Sequence, residues 1–561
     1  MWYFRALAFD LDGTLIEGDR LDGGVLAALR LARRDRRLIL VTGRIHDDLI
    51  RSFPGLTSEF DAVVTENGGV LRTGTARRLL AEPVDGLLTR ALSRRSVPVT
   101  KGEALLAIRG TDVPAVTEEI TRLGLDHQVV HNRGEAMVLP AGVTKGTGLR
   151  SALAEFGLSA HNTVAVGDAE NDIALLQTAE VGVCVANAVK SLSAHADLQL
   201  EQADGVGVTT LLHSPLLAGE QRLCPARRWI VAGAEASGRP VAVPGSQAGI
   251  LIAGETGSGK SYLAGLLAER WIEAGYSVLV IDPEGDHVGL THRAQVLHVD
   301  GAAHLPEPVD LLALTRPGLA SLVLDLSDVE QTVKVGYLER LSAALTAERM
   351  RYGTPHWVVV DEAHLSLFGR DTPSGPLDAG TCLVTWQPQL LPARIRDTVD
   401  ITLTAVAAPA AGLGVGGTGG QVVIEARGAE PARTFVPARR VNPHVRHQHK
   451  YAAVGLPGHR RFYFRGAGAD PEGVGTIDDF SRFLRHCDQE TVAYHLDRGD
   501  FSRWITDTLG DHQLGLLLAG VERELRQRRA ADLEHARERI VGLADTRYLD
   551  RPPPPSAGTG R

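Results

Sequence analysis

Cysteine is scarce in this chain of 561 residues, and the four present (Cys184, Cys224, Cys382 and Cys487) stand far apart with no C-x-x-C spacing. That spacing suggests neither a disulfide framework nor a cysteine zinc site, and it makes a reducing cytoplasm the expected compartment. Lysine is also rare: the 59 basic residues include six lysines, at 101, 145, 190, 260, 334 and 450. A lysine that persists against such an arginine bias marks a position needing a compact charge on a flexible stem, which a planar guanidinium cannot imitate. The opening Met1-Trp2-Tyr3-Phe4-Arg5 lacks the charged and apolar regions of a secretion signal. An uncharged run, 401–424, contains six glycines and a proline. It therefore reads as strand, loop and strand, and no membrane span is expected. A formal net charge of -9 gives no global attraction to nucleic acid and leaves only a local basic groove as a route to it.

What is there is ordinary soluble composition, 44% hydrophobic and 23% charged. At ~150 residues per domain the length predicts about three or four domains. The clearest signal is Gly254-Glu255-Thr256-Gly257-Ser258-Gly259-Lys260-Ser261 after the apolar run Gly249-Ile250-Leu251-Ile252-Ala253. In such a loop consecutive backbone N–H groups wrap a triphosphate, the lysine reaches the β and γ phosphates, and the last hydroxyl joins a Mg²⁺ shell. A helix N-terminus beneath the anion adds to this, and 261–274 has a helical pattern. Gly254, Thr256, Gly257, Ser258, Gly259, Lys260 and Ser261 are thus candidate ATP ligands, with Ser261 also at the metal.

The chain begins with an apolar strand that delivers Asp10 and Asp12 in Asp10-Leu11-Asp12-Gly13-Thr14. An aspartate can attack a phosphoryl group, and a second carboxylate two residues on can protonate the leaving alkoxide and later activate water. Three more segments fit that chemistry: a strand ending in Thr42-Gly43-Arg44, then Thr144-Lys145-Gly146 ahead of a helix over 149–156, then Gly167-Asp168-Ala169-Glu170-Asn171-Asp172. These residues resemble the haloacid dehalogenase (HAD) superfamily of phosphatases. The resemblance implies Asp10 as nucleophile, Asp12 as acid and base, and Thr42 and Lys145 as phosphate ligands. It implies Mg²⁺ held by Asp168, the Asp10 carboxylate and the Asp12 backbone carbonyl, with Asn171 and Asp172 supporting that shell and Asp172 counted with the metal residues. Residues 72–139 look like a small α/β lid similar to the cap of the Cof and sucrose-phosphate phosphatase branch, where Glu66-Asn67-Gly68-Gly69 also has counterparts. A small sugar phosphate or phosphoglycolate is the implied substrate.

After the P-loop, a strand ends in Asp282-Pro283-Glu284-Gly285-Asp286-His287 and another in Trp357-Val358-Val359-Val360-Asp361-Glu362-Ala363-His364. Asp361 is placed to bind Mg²⁺ through water and Glu362 to polarise the attacking water. A strand ending in Thr385-Trp386-Gln387-Pro388 puts Gln387 where a γ-phosphate sensor belongs. Together these pieces look like the HerA/FtsK class of hexameric P-loop ATPases, HerA above all. That resemblance implies a ring of six copies with an arginine finger, for which Arg394 and Arg396 are candidates. Two departures count against DNA translocation: the phosphatase stands where HerA has a β-barrel, and His287 replaces the usual aromatic.

The expected architecture is a multidomain α/β chain: a HAD-like phosphatase at 1–212, a HerA-like ATPase at 213–437, a small C-terminal domain at 438–549 and a disordered tail at 550–561. In the C-terminal domain the sequence predicts a strand at 461–464, helices near 477–486 and 513–520, Asp500 as a helix N-cap, Trp504 in the core and one charged helix over 521–549. The basic, histidine-rich run 439–450 reads as a linker. Three functions stay open: a bifunctional enzyme in which ATP hydrolysis serves a small-molecule phosphatase, a nucleic-acid-processing ring, and a nucleotide-binding scaffold.

Overall fold

The computed structural model describes residues 3–18, 20–132, 134–255, 258–318, 320–366, 379–406, 420–428, 431–441, 456, 461–465, 473–509, 511–528 and 533–548. Thr256 and Gly257 of the P-loop, most of the glycine-rich stretch within 401–424, residues 442–450 of the basic run and the tail 550–561 lie outside the described residues.

Short apolar segments with Gly or Asp at their ends build two large sheets. The first has eight strands in the order Leu198–Gln199, Val181–Cys184, Thr163–Gly167, Ala6–Phe9, Arg37–Val41, Ala62–Thr65, Val70–Thr73 and Ala76–Leu79. Its first six strands are parallel, and the four inner ones from Val181–Cys184 to Arg37–Val41, with Ala62–Thr65, read as largely apolar runs because they are buried, while the last two strands are an antiparallel extension. The expected lid start at 72 therefore falls inside the main sheet. The lid proper is a four-stranded antiparallel sheet, Thr100–Lys101, Leu106–Arg109, Glu135–Pro140 and His127–Asn132, backed by helices Gly86–Arg94 and Val113–Leu123 around its own core.

The second sheet has eleven strands. Seven are parallel, in the order Ile401–Val406, Gly249–Gly254, Thr381–Thr385, Trp357–Val360, Val278–Asp282, Ser321–Asp325 and Val296–Asp300. Four antiparallel strands, including the hairpin Ile230–Ala234 and Pro240–Val243 turning at Gly238, complete it. One strand, Thr381–Thr385, lies between the P-loop strand and the strand leading to Asp361. The stacked indoles of Trp271 and Trp357, 3.8 Å apart, fill the core on one face.

The C-terminal residues form helices around a third core. Trp504 is buried in it, as expected. Three details differ. The expected strand at 461–464 is only a bridge between Phe462 and Val474. Asp500 is the first residue of its helix, behind Gly499 at the cap, because its carboxylate pairs with His495 at 2.9 Å. The charged segment is two helices, His512–Arg528 and Leu533–Tyr548, which pack on each other instead of running as one.

The two large sheets meet through residues that immediately precede their strands. Asn162 donates to the carbonyls of Tyr3 and Gly353, and the ring of His161 stacks on Tyr276 at 3.8 Å. Glu180, fully buried, accepts hydrogen bonds from Tyr276 and Ser246 and sits 2.7 Å from His161 Nδ1. Arg227 and Arg228 add bonds to the carbonyls of 176–180. Amino ends thus face each other, and the carboxyl ends, where sites of open α/β sheets form, point apart. His356 lies in this junction, bonded to Ser277; burial first, then His161 and Arg349, push its pKa well below the usual 6.5. It stays neutral in the folded chain while the unfolded chain takes up a proton below about pH 6.5, so stability is complete above that pH and falls as pH drops through it, by up to about 1.4 kcal/mol per unit. The apparent Tm measured from pH 7.5 to 5.5 should fall on the acid side, and His356→Gln should flatten that limb; an unchanged acid slope would contradict the assignment.

Candidate active site and nucleotide site

Strand Ala6–Phe9 is wholly buried and hands Asp10 to the carboxyl edge of the first sheet. Its neighbours deliver the rest: Thr42 follows Arg37–Val41, and Asp168 follows Thr163–Gly167. Lys145 is the first residue of helix Lys145–Glu155, which begins four residues earlier than the sequence pattern predicts because Thr144 and Thr147 form a capping box. A cation at the positive end of a helix is unfavourable alone. Here two carboxylates compensate: Lys145 Nζ donates to Asp10 Oδ1 at 2.5 Å and to Asp172 Oδ1 at 2.6 Å. Burial would lower the Lys145 pKa, and these two carboxylates more than reverse it. Asp10 is shifted well upward, by burial and then by Asp172, with Lys145 opposing.

Asp10, Asp168 and Asp172 present oxygens within 4.8 Å of one another, all buried. Three carboxylates against the Lys145 ammonium leave an excess of negative charge in a dry site, and hard oxygen donors suit Mg²⁺. The residues fit the ion, with one refinement. Both oxygens of Asp172 are engaged, one by Lys145 and the other by the N–H groups of Asp168 and Ala169, each at 3.0 Å. Asp172 is therefore placed to orient the site, and Asp10 and Asp168 would offer the donor atoms.

Arg44 forms a fork on Asp12, with Nε 2.9 Å from Oδ2. Between lid and sheet lies a cavity of about 440 Å³ bordered by Asp10, Asp12, Arg44, Arg109, Asn132 and Met137. Glu66 fixes the lid: its buried carboxylate accepts from the backbone N–H groups of Glu103, Ala104 and Leu105 at 2.9, 2.7 and 3.1 Å. Burial pushes its pKa up despite those donors. The sequence pointed to 66–69 by resemblance only; nothing local announces a partner 37 residues away. Arg44 stood within a quoted segment, yet its pairing with Asp12 needed the fold.

In the second sheet, Gly254 has φ +147°, and a Cβ there would lie 2.5 Å from the carbonyl oxygen of Ala405. Lys260 opens helix Lys260–Glu273 behind Gly259, and its Nζ donates to the Glu255 carbonyl at 3.0 Å; Ser261 follows in the first turn. The segment after Asp282 wraps its carboxylate: Gly285, Asp286 and His287 donate N–H bonds at 2.8, 3.1 and 2.7 Å. Burial raises Asp282 to about 6. His287 Nε2 lies 2.8 Å from Asp361 Oδ2, and Asp282, His287 and Asp361 form a second buried cluster within 4.8 Å. His287 thus stands in place of the usual aromatic with a buried ring nitrogen against the Asp361 carboxylate, a contact the sequence did not show. Glu362 has φ 45° and lies 3.4 Å from His364. Thr385 Oγ1 accepts from the Gln387 N–H at 3.0 Å and lies 3.1 Å from His364 Nδ1. Among the described residues the Gln387 side chain makes no hydrogen bond to Lys260 or Asp361. Arg394 and Arg396 lie on the short helix Ala393–Arg396.

Gly68 is the tightest local constraint on the first site. Its φ is +109°, and a Cβ would lie 2.1 Å from the Thr144 carbonyl oxygen, the residue that caps the Lys145 helix. Gly68→Ala should cost roughly 1–3 kcal/mol in urea unfolding and displace Lys145; unchanged stability would show that the approach is not needed.

Two family models match. Residues 116–212 match the haloacid dehalogenase-like hydrolase family, and residues 248–350 match the central domain of helicase HerA. A phosphoglycolate phosphatase of Archaeoglobus fulgidus is 30% identical over 218 residues, covering 37% of this chain and 95% of the relative. One of Methanothermobacter thermautotrophicus is 31% identical over 212 residues, 36% of this chain and 95% of the relative. The sucrose-phosphatase structure from Synechocystis is 18% identical, covering 38% of this chain and 97% of that one, with a TM-score of 0.32. The catalytic-type carboxylates, the lid and the P-loop therefore sit in a chain that belongs to the haloacid dehalogenase-like hydrolases and carries a HerA-type central domain after them.

Proposed function

We propose that the chain is a bifunctional hydrolase: a Mg²⁺-dependent phosphomonoesterase for a small phosphorylated acid or sugar, phosphoglycolate first, joined to an ATP-hydrolysing HerA-like unit. The observation that carries the first part is the buried Lys145 ammonium between Asp10 and Asp172 beneath a lidded cavity of about 440 Å³, a size for a small substrate. The phosphoglycolate phosphatase relatives support the substrate class.

Asp10 attacks phosphorus, the ester P–O bond breaks, and Asp12 gives a proton to the departing alkoxide oxygen. Water then attacks the same phosphorus with Asp12 taking its proton, the Asp10–phosphoryl bond breaks, and phosphate leaves. Thr42 and Lys145 hold phosphoryl oxygens, and the lid excludes competing water. Mg²⁺ bound at Asp10, the Asp12 carbonyl and Asp168 supplies charge neutralisation on the phosphoryl group. For Asp12 to reach a leaving group, Arg44 must release at least one of its oxygens.

In the second unit Lys260 and Ser261 hold the nucleotide and its Mg²⁺, with Asp361 at the metal, Glu362 beside the attacking water and Gln387 as sensor. The HerA likeness supports assembly into a ring, with Arg394 and Arg396 as the candidates to reach the neighbour. The acidic chain favours an ATPase that serves the phosphatase over one that moves DNA.

Asp10→Asn should abolish phosphoglycolate hydrolysis and spare ATP hydrolysis, Lys260→Ala should do the reverse, and Asp12→Asn should cost about 10²–10⁴-fold in kcat. Chelation of Mg²⁺ should silence both. ATP turnover unaffected by duplex DNA is expected; strong, salt-sensitive stimulation by DNA would favour a translocase, and no turnover of either substrate would leave a scaffold.

A further inference from the structure

The junction of the two sheets holds a cavity of about 470 Å³, remote from both carboxyl-end sites. Its walls come from both units: Arg5 ahead of the first strand, the turn 33–37, Phe156, and then Arg351 and Tyr352 at the end of helix Gln331–Tyr352. Six arginines line it against two acids, Asp35 and Glu155. Two of the arginines, Arg33 and Arg37, pair with Asp61, and Glu155 pairs with Arg78. Arg5 and Arg36 make no salt bridge among the described residues, although the charge of nearby Asp35 acts on both. Each donates through Nη2 to a backbone carbonyl, of Asp35 and Leu217, and the Nε of each is buried without a hydrogen-bond partner among the described residues. Burial, and after it the proximity of Arg36, lower the Arg5 pKa; burial lowers that of Arg36.

Three helices, Gly23–Ala32, Lys145–Glu155 and Gln331–Tyr352, end at this cavity, and their negative ends favour nearby cations. That accounts for basic residues here but not for two guanidinium groups close enough that Arg36 lowers the Arg5 pKa while neither is in a salt bridge among the described residues. In a chain of net charge -9, such a cluster is a local inversion of sign, and an anion with several oxygens would satisfy it. The rings of Phe156 and Tyr352 lie on the same walls under the Arg37 and Arg351 guanidinium groups, at 5.2 and 5.1 Å, and Tyr352 also meets Arg316 at 4.2 Å. We propose that this cavity binds a nucleoside polyphosphate, with the phosphates against Arg5 and Arg36 and the base on Tyr352 or Phe156. A ligand there touches both units. The helix that ends in the cavity begins beside the segment that follows Asp282, where Lys334 Nζ lies 3.3 Å from the Pro283 carbonyl oxygen.

The test uses the full chain carrying Asp10→Asn and Lys260→Ala, which disables both known-type sites, titrated calorimetrically with ADP, pyrophosphate and inorganic phosphate and followed by thermal unfolding. ADP should bind and raise the Tm, with pyrophosphate competing. Adding Arg5→Gln or Arg36→Gln should weaken ADP at least tenfold without lowering the ligand-free Tm, since each removes one of two crowded like charges. Pyrophosphate binding without ADP binding would overturn the nucleoside assignment. ADP binding indifferent to both substitutions, or no binding of ADP, pyrophosphate or phosphate, would overturn the site and leave the arginines as helix-end caps.

Discussion

Carboxylates at the buried ends of parallel strands are tolerable only where a cation answers them, and that constraint shapes both halves of this protein. In the first half the answer is Lys145, held by Asp10 and Asp172 at the start of a helix whose position depends on the Thr144 cap and on the close approach of Gly68. In the second half His287 faces Asp361 while the backbone of 285–287 encloses Asp282. Each site gathers more carboxylates than protein cations, a surplus that suits a divalent cation, through which a phosphate could then be held.

The two sites turn their backs on each other. Contacts around Glu180, His161, Asn162 and His356 join the amino ends of the sheets, so any communication must cross two strand lengths or travel by helices such as Gln331–Tyr352. A buried, many-partnered carboxylate at such a junction fixes the relative placement of the sheets more than it adds stability.

Much of this was legible in the sequence because the chemistry sits where strands end. Asp10, Thr42, Asp168, Lys260 and Asp361 each follow an apolar run, and the order of runs carries the fold. What escaped depends on contacts between distant segments. Glu66 meets the backbone of 103–105, Glu180 meets Ser246 and Tyr276, and Arg36 reaches Leu217, with no local pattern to signal any of them. Helix starts escaped for a different reason: the cap at Thr144 and the pairing of Asp500 with His495 are side-chain bonds that periodicity does not sense.

The central claim is that Asp10 is the nucleophile of a phosphoryl transfer served by Lys145. Acid quench of the protein during turnover of phosphoglycolate, followed by peptide mass spectrometry, tests it most directly. The account predicts one phosphoryl group on the peptide containing Asp10, absent from Asp10→Asn and diminished in Lys145→Ala; phosphate release with no phosphorylated Asp10 at any quench time would contradict it.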